Sequence, residues 1–468
     1  MSNRKNGLQF ACLSPFLPLR IKAMSKEKRI YKPKSVAGFP EWLPEERLVE
    51  QRWFDHIRRV FESYGFCNIE TPSVEELDVL TAKGEVDKEI YVIERLHKDE
   101  DDKSEARLAL HFDQTVPMAR YVAMRFNDLV FPFKRYQMQR VWRGERPQMG
   151  RMREFYQCDI DIINVDNLPL SFDAEVAAVM YEVLEGLNIG KVQLRISNRK
   201  ILIGLLKELG IEDHLEILRI LDKLEKIGPV EAKKLLDETP ARKWSESLVQ
   251  LASIKAASAD ELEKKINETD LNSFFLNSPE GLVELVDVIN RVRKLTEMPD
   301  HAVIADLGIV RGLDYYTGTV YETQLLDVPE FTGSVCSGGR YDDLAGSYIN
   351  KHLPGVGISI GFSRLFDVMR QTRPDLLGIG PKGPAHVMMT VPENEADRPI
   401  AYEAARTLRK NGVNVEMYHA PKKIGDQLKY ASKKNLPYVW FVRDGKHEVK
   451  DMINQTQAEA DPATWSVK

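Results

Sequence analysis

Residues 143–155 read Arg143-Gly144-Glu145-Arg146-Pro147-Gln148-Met149-Gly150-Arg151-Met152-Arg153-Glu154-Phe155. Several arginines crowd one Pro/Gly turn, which is expensive unless an anion sits among them. Two readings are open: a solvated basic hairpin, or a seat for a polyphosphate or an RNA backbone. Period two along an extended outgoing segment puts Arg151, Arg153 and Phe155 on one face. A ring among arginines gives a base a flat surface for stacking. The segment continues Tyr156-Gln157-Cys158-Asp159-Ile160-Asp161, so Gln157, Asp159 and Asp161 share the face opposite Cys158 and Ile160. That face is either a hairpin side turned to water or the polar floor of a pocket for a cationic, multi-donor ligand.

Three further stretches carry candidate chemistry. In Arg311-Gly312-Leu313-Asp314-Tyr315-Tyr316-Thr317-Gly318, glycines flank a charged pair and two tyrosines. Arg311 suits a developing negative charge, and the phenols suit ligand orientation. A tight loop held by an Asp–Arg pair is the plainer alternative. In His111-Phe112-Asp113-Gln114-Thr115-Val116-Pro117, Asp113 and Thr115 are expected on one strand face, where solvent exposure explains them equally well. Gly355 to Leu365 reads as a glycine-spaced strand running into a helix that carries Arg364. Such a junction can bring backbone and one arginine against a nucleotide, but it is neither a P-loop nor a dinucleotide fingerprint.

The elements that must hold these residues follow from periodicity. Residues 45–64 show helical spacing at Leu48, Val49, Trp53, Ile57, Val60 and Phe61, with Gly65 as a stop. Cys67–Val74 reads as a strand, 128–145 and 152–164 as two extended segments around the arginine turn, and 171–188 as a helix. From about 195 to 300 the chain is Lys-, Glu- and Leu-rich, with helical periodicity and no strand pattern after Ile196. Strands resume at Val303–Ile309 and Gly318–Leu325. Gly378–Pro384 has linker composition. Beyond it come strand Ala385–Val391, helix Glu395–Asn411, strand Val413–Tyr418, helix Ile424–Lys434 and strand Tyr438–Arg443, an alternation that implies parallel pairing.

A chain of 468 residues is long enough for two or three cores. A net charge of −5 argues against coating nucleic acid by bulk charge, while leaving room for a local basic groove. Cys12, Cys67, Cys158 and Cys336 lie too far apart in sequence for zinc-ligand or redox-pair spacing, so a reduced cytoplasmic protein is expected. No apolar run is long enough to span a membrane. Residues 1–23 carry Arg4, Lys5, Arg20 and Lys22 and no acid. They read as a disordered or over-annotated leader before Met24, with a targeting peptide as the alternative.

The hairpin residues from Arg143 to Phe155 resemble motif 2 of class II aminoacyl-tRNA synthetases. Arg311-Gly-Leu-Asp-Tyr-Tyr-Thr-Gly-Thr-Val-Tyr-Glu resembles the signature of histidyl-tRNA synthetases, and Cys336-Ser-Gly-Gly-Arg-Tyr-Asp-Asp-Leu is similar to that family's second signature. Gly355–Leu365 resembles motif 3, and the helix–strand pair ending at Pro72 resembles motif 1, which builds the dimer interface in this class. The resemblance runs from about Lys34 to the C-terminus.

The resemblance implies an α+β fold: a class II antiparallel-sheet catalytic core with a helical insertion, plus a C-terminal α/β anticodon-binding domain. The expected layout is leader 1–33, core 34–194, insertion 195–300, core 301–377, linker 378–384 and anticodon-binding domain 385–468. It implies ATP-dependent attachment of histidine to its tRNA by a cytoplasmic homodimer, through a histidyl-adenylate. Arg143 would bind the α-phosphate of ATP and the histidine carboxylate. Phe155 would stack on adenine, Arg364 would cover its other face, and Glu145 would lie near it. Asp113, Thr115 and Gln157 would hold the α-amino group. Asp161, Tyr315 and Tyr316 would read the imidazole, and Arg311 would stabilise the transition state. Magnesium is expected with the ATP phosphates, with no ligands identified. Three departures stand out. Asp343 replaces a frequent glycine, Ser363 a frequent glutamate, and Asp161 the glutamate of many bacterial members. The competing readings are a regulatory paralogue of histidine biosynthesis, a nucleic-acid-binding or stress-sensing module on a degenerate synthetase fold, and a synthetase for another amino acid.

Overall fold

The computed structural model describes residues 31–81, 90–95, 107–275, 277–310, 316–346 and 348–467. Residues 1–30 of the expected leader and residues 311–315 lie outside them. Pro44 opens the first helix, Pro44–Ser63, where its missing N–H is no loss. Glu46 accepts the Leu43 amide at 2.9 Å, and Gly65 ends the turn at φ 80°. The stripe Val49, Trp53, Phe54, Ile57, Val60 and Phe61 is buried, as the 3.6-residue period requires.

Among the described residues, nine strands form the main sheet. Their order is Cys67–Asn68, Phe133–Trp142, Glu154–Ile163, Gly355–Ile360, Cys336–Tyr341, Tyr316–Leu325, Val192–Asn198, Val303–Asp306 and Lys255–Ala256. The centre is antiparallel. Only the pairings of Cys67–Asn68 with Phe133–Trp142 and of Val192–Asn198 with Val303–Asp306 are parallel. One face packs on the helices Pro44–Ser63, Ser171–Gly186 and Phe362–Thr372, whose apolar residues share a core with Cys158, Ile160 and Ile162. The hairpin register sets Arg135 opposite Asp161, Gln137 opposite Asp159 and Gln139 opposite Gln157. The opposite face therefore carries three buried polar pairs.

Several elements differ from expectation. The strand expected over Cys67–Val74 is paired only at Cys67–Asn68; Val74–Glu76 joins a separate small sheet with Leu108–Leu110 and Val92–Ile93. Thr115 begins a helix, Thr115–Met124, so Asp113 and Thr115 do not lie on a strand. The helical stretch after Asn198 is interrupted by Lys255–Ala256, which pairs with Val303–Asp306. In the C-terminal part, Val387–Met389 pairs in parallel with Val415–Met417 and with Tyr438–Arg443. An antiparallel strand, Lys446–Asp451, follows Tyr438–Arg443. Asp444 and Gly445 both have positive φ between them, the Asp-Gly turn chemistry of a tight hairpin. Among the described residues no helix is long and apolar enough to cross a membrane.

Arg340 of the second signature has a structural task. Its guanidinium grips the fully buried Asp173 and donates to the Leu168 carbonyl at 3.0 Å, tying the sheet to the helix Ser171–Gly186. Removing one partner strands a buried charge, at about 3–5 kcal/mol. Arg340→Met is expected to lower stability by that order in urea unfolding, and Arg340→Met with Asp173→Leu to recover most of the loss. Equal losses in the single and double variants would show that the pairing is not the cause.

Candidate active site

The arginine hairpin is built as a strand pair with a docked tip. Arg143 Nε donates to the Phe112 carbonyl at 3.0 Å, and its guanidinium lies over the Phe155 ring, 5.3 Å from the centroid. Glu145 is 3.6 Å from Arg151. Arg153 leaves the face expected for it, because the regular strand begins only at Glu154. Its Nε donates to the Glu145 carbonyl at 3.2 Å, and its side chain packs against Gly38.

Gly150, at φ 68°, anchors the tip. Its N–H donates to Asp367 Oδ2 at 3.1 Å, and its carbonyl accepts from Arg364 Nε at 2.9 Å. Arg364 also donates to the Ser334 carbonyl at 3.0 Å. The helix Phe362–Thr372 thus holds the hairpin loop through one peptide unit. Ser363, one of the departures, accepts the Tyr156 amide at 2.9 Å, so a short hydroxyl fastens the outgoing strand where a longer acid is frequent. Asp343 has no positive φ, so its turn does not need the glycine often found there.

Three adjoining cavities lie on the polar face of the sheet. The first, about 110 Å³, brings together Arg143, Glu145, Phe155, Gln157 and Arg364. The second is a wide groove of about 770 Å³ that shares Arg143 and Arg364 and adds Tyr316, Glu322 and Phe331. The third, about 30 Å³, is walled by Thr115, Asp159, Asp161, Tyr316 and Tyr341. Ser337 and Ser359 line both the first and the third. Asp113 lines none of them. It is buried behind Arg143, with Oδ1 accepting the Val116 amide at 3.2 Å and Oδ2 unpartnered. Arg311 and Tyr315 lie outside the described residues.

Beneath the cavities, Asp161 has both oxygens engaged: Tyr341 donates to Oδ1 at 2.9 Å and Arg135 pairs with Oδ2. A Cβ at Gly357 would collide with this carboxylate, so glycine is required there. Gln114 turns away from the pocket and clips the hairpin, donating to the carbonyls of Gln139 and Gln157 at 3.0 and 3.1 Å. Arg135, Gln114, Ser359, Tyr341, Gly150 and Asp367 were not singled out from sequence. The strand period marked the face of Asp159, but nothing local marked Arg135 as its cross-strand neighbour.

Burial dominates the electrostatics. It raises the Asp113 carboxyl to about 6 and Asp159 to about 7, with Arg135 pulling both back, and raises Asp161 against the same arginine. A pocket of under-compensated carboxylates is built to receive positive charge.

The cations that would face a nucleotide come from a hairpin and from a strand–helix junction on an antiparallel sheet. That separates this core from the parallel doubly wound nucleotide folds and places it in the class II aminoacyl-tRNA synthetases. Comparison with known proteins narrows the class. Residues 38–365 match the family model described as histidyl-tRNA synthetase, and residues 386–458 match the anticodon binding domain model. The chain belongs to the histidyl-tRNA synthetase family. It is 50% identical to the histidine--tRNA ligase of Thermobifida fusca over 94% of this chain and 99% of that protein. It is 46% identical to that of Micrococcus luteus over 92% and 96%. The crystal structure of histidyl-tRNA synthetase from Nostoc sp. PCC 7120 superposes with a TM-score of 0.81 at 37% identity, covering 92% of this chain and 97% of that one.

Two outcomes are expected. Asp367→Leu removes the acceptor for Gly150; hydrogen bonds to charged groups contribute about 1.5–3 kcal/mol. The KM for ATP should rise about tenfold with the KM for histidine within about twofold, and trypsin should cut faster after Arg151. Unchanged ATP affinity and cleavage would make the contact incidental. The second concerns pH. Asp113 and Asp159 have raised folded pKa values, so the native state binds their protons more tightly. Their contribution to stability is fully present below the unfolded value near ~4 and is lost as pH rises through about 6 to 7. Urea midpoints of the ligand-free protein should therefore fall across that window relative to an Asp113→Asn/Asp159→Asn double variant. Parallel profiles would contradict the burial argument.

Proposed function

We propose that the chain attaches L-histidine to its cognate tRNA through a histidyl-adenylate, releasing pyrophosphate and then AMP. The observation that carries this reading is that one family match spans the carboxylate-floored pocket and its arginines, with an anticodon-binding match following in the same chain. In the first step a histidine carboxylate oxygen attacks the α-phosphorus of ATP, and the bond to pyrophosphate breaks. Both reactants are anions, so cations must offset their repulsion and the charge of the transition state. One preorganised donor in such a site contributes about 3–4 kcal/mol. Arg143 takes the α-phosphate and the carboxylate, and Arg311 supports the transition state. Adenine lies on Phe155, with Arg364 across from it and Glu145 beside it. In the second step a ribose hydroxyl at the tRNA 3′ end attacks the carbonyl carbon, and AMP leaves.

Histidine enters with its ring largely neutral, since free imidazole titrates near ~6.5. Asp113, Thr115 and Gln157 hold its ammonium, and Asp161, Tyr315 and Tyr316 surround the ring. Apolar analogues are rejected because they leave buried polar groups unpaired. Magnesium travels with the phosphates and offsets their charge. Among the described residues no cluster of three or more His, Cys, Asp or Glu could cage a metal. A hydrated magnesium ion needs only one or two carboxylates beyond its phosphate ligands, and Glu322 in the wide groove fits that need. The chain works as a cytoplasmic homodimer. Cys67 and Asn68 form an exposed edge of the main sheet, open to a partner. We assign residues 195–300 to a helical insertion between the two parts of the core, 34–194 and 301–377, and 385–468 to the anticodon-binding domain.

The regulatory reading has one structural echo. An ATP phosphoribosyltransferase regulatory subunit/histidyl-tRNA synthetase from Bacillus halodurans superposes with a TM-score of 0.68 at 20% identity, a likeness of fold alone. Exchange of labelled pyrophosphate into ATP, measured with each of the twenty amino acids, decides between the readings. Exchange with histidine alone is expected. A folded protein that binds histidine but exchanges with none would be a regulatory paralogue.

A further inference from the structure

The segment that leads into the first helix, residues 37–42, is fastened to the arginine hairpin at its mouth. Arg143 donates its N–H across the hairpin to the Arg153 carbonyl at 2.9 Å. In a regular antiparallel pair the return bond would run from the Arg153 N–H to Arg143. Instead that N–H donates to the Gly38 carbonyl at 2.8 Å, and the Glu154 N–H donates to the same oxygen at 3.2 Å. Arg153 is thereby turned out of the ladder, and its Nε closes the mouth on the Glu145 carbonyl. Gly38 can come this close because it has no side chain. Its φ is +85°, and a Cβ there would lie 2.9 Å from Cγ of both Arg153 and Pro147. The segment is itself anchored. The Trp42 ring lies 5.5 Å from that of Phe366 and 4.9 Å from the Arg370 guanidinium. Both belong to the helix whose Asp367 holds the hairpin tip at Gly150. Mouth and tip therefore rest on one support.

We propose that Gly38 is a positioning residue for the nucleotide, which acts by diverting the Arg153 amide and so fixing Arg143 and Phe155 relative to each other. The assignment rests on the ATP-dependent reading above. Gly38 lines neither cavity that carries those two side chains, so it acts only through the hairpin. Arg143 is the residue paired at the mouth, and Phe155 stands two residues beyond Arg153, so both take their places from this junction. Regular strand geometry begins only at Glu154. With its N–H returned to the ladder, Arg153 would share the face of Phe155 by the period of two. A further guanidinium would then enter the space over the ring, where the Arg143 guanidinium now lies 5.3 Å from the centroid. A side chain at position 38 would push instead on Arg153 and Pro147, and would shift the mouth against the helix that holds the tip.

The test uses the full chain, with ATP and histidine affinities measured separately by calorimetry and the KM for ATP by histidine-dependent pyrophosphate exchange. Gly38→Val should weaken ATP about tenfold or more and Gly38→Ala about fivefold, since misplacing a binding group by about 1 Å can cost a hundredfold. Histidine affinity should stay within about twofold, because Asp159 and Asp161 on the floor are held by their own strand neighbours. Gly65 supplies the control. Its φ is +80°, and nothing lies within 4 Å of a Cβ built there. Gly65→Ala carries the backbone strain without the collision, so it should lower the urea midpoint and leave ATP affinity unchanged. Folded Gly38→Val with ATP affinity within about threefold of wild type, or with ATP and histidine weakened equally, would overturn the proposal. If Gly38→Val does not fold, as judged by circular dichroism, Gly38→Ala is the readout, and ATP affinity equal to that of Gly65→Ala would overturn it. Wild-type protein without histidine-dependent exchange would remove the reading of the reaction, while the calorimetric ATP affinities would still decide the role of Gly38.

Discussion

One fully buried guanidinium, Arg135, faces three buried carboxylates, and the architecture around the site answers to that imbalance. Arg135 pairs directly with Asp161 across the hairpin, while Asp113 and Asp159 feel it only at longer range. Such a cluster survives only if its members cannot move away from one another. The sheet supplies that rigidity. Arg135, Gln137 and Gln139 alternate on one strand opposite Asp161, Asp159 and Gln157 on the next, so the register fixes which polar residues lie side by side. Gln137 and Gln139 bond to each other and to Thr71, and Gln114 clips the two strands at the Gln139–Gln157 pair. Rearranging such a buried network is costly, because each move leaves a further group unpaired.

The opposite wall is looser and cationic. Arg143 rests on Phe155, Arg364 on two carbonyls, and the hairpin tip on Asp367. None of these contacts is a tight ion pair. The departure at Ser363 belongs to the same wall. Its hydroxyl fixes the strand next to Phe155, which keeps the ring in place.

Much of this was legible in the chain, for reasons that are physical. The first helix had a proline start, an unbroken apolar stripe and a glycine stop, and the structure places it at Pro44–Ser63. The alternation along Gln157, Asp159 and Asp161 located the pocket floor because side-chain direction in a strand is local information. What failed depended on non-local partners. Cys67–Val74 had strand composition, but only two of its residues find the sheet edge. Thr115 looked like a strand residue because the apolar positions of Thr115–Met124 are too few to declare a helical period. Arg153 was misplaced because the irregular turn defers strand geometry to Glu154. The Asp444-Gly445 turn is local information, but the strand–helix alternation before it points only to parallel pairing, and the antiparallel strand that follows depends on that turn.

The two walls together impose a direction on the substrate. An amino acid is a dipole with an ammonium and a carboxylate a few ångströms apart. The acceptors on the floor that line these cavities, Gln157 Oε1 and Asp159 Oδ1, are both buried and both lack donors. On the other wall the Arg143 guanidinium lies over Phe155 beside the first cavity. A zwitterion therefore lowers its energy in only one orientation, with its N–H groups down on the sheet and its carboxylate up beside Arg143. That orientation also points the carboxylate toward the space where Arg143 and Arg364 would hold a triphosphate. Because attack on phosphorus needs the nucleophile placed rather than activated, the polarity of the pocket accomplishes much of what a catalytic base does in other enzymes.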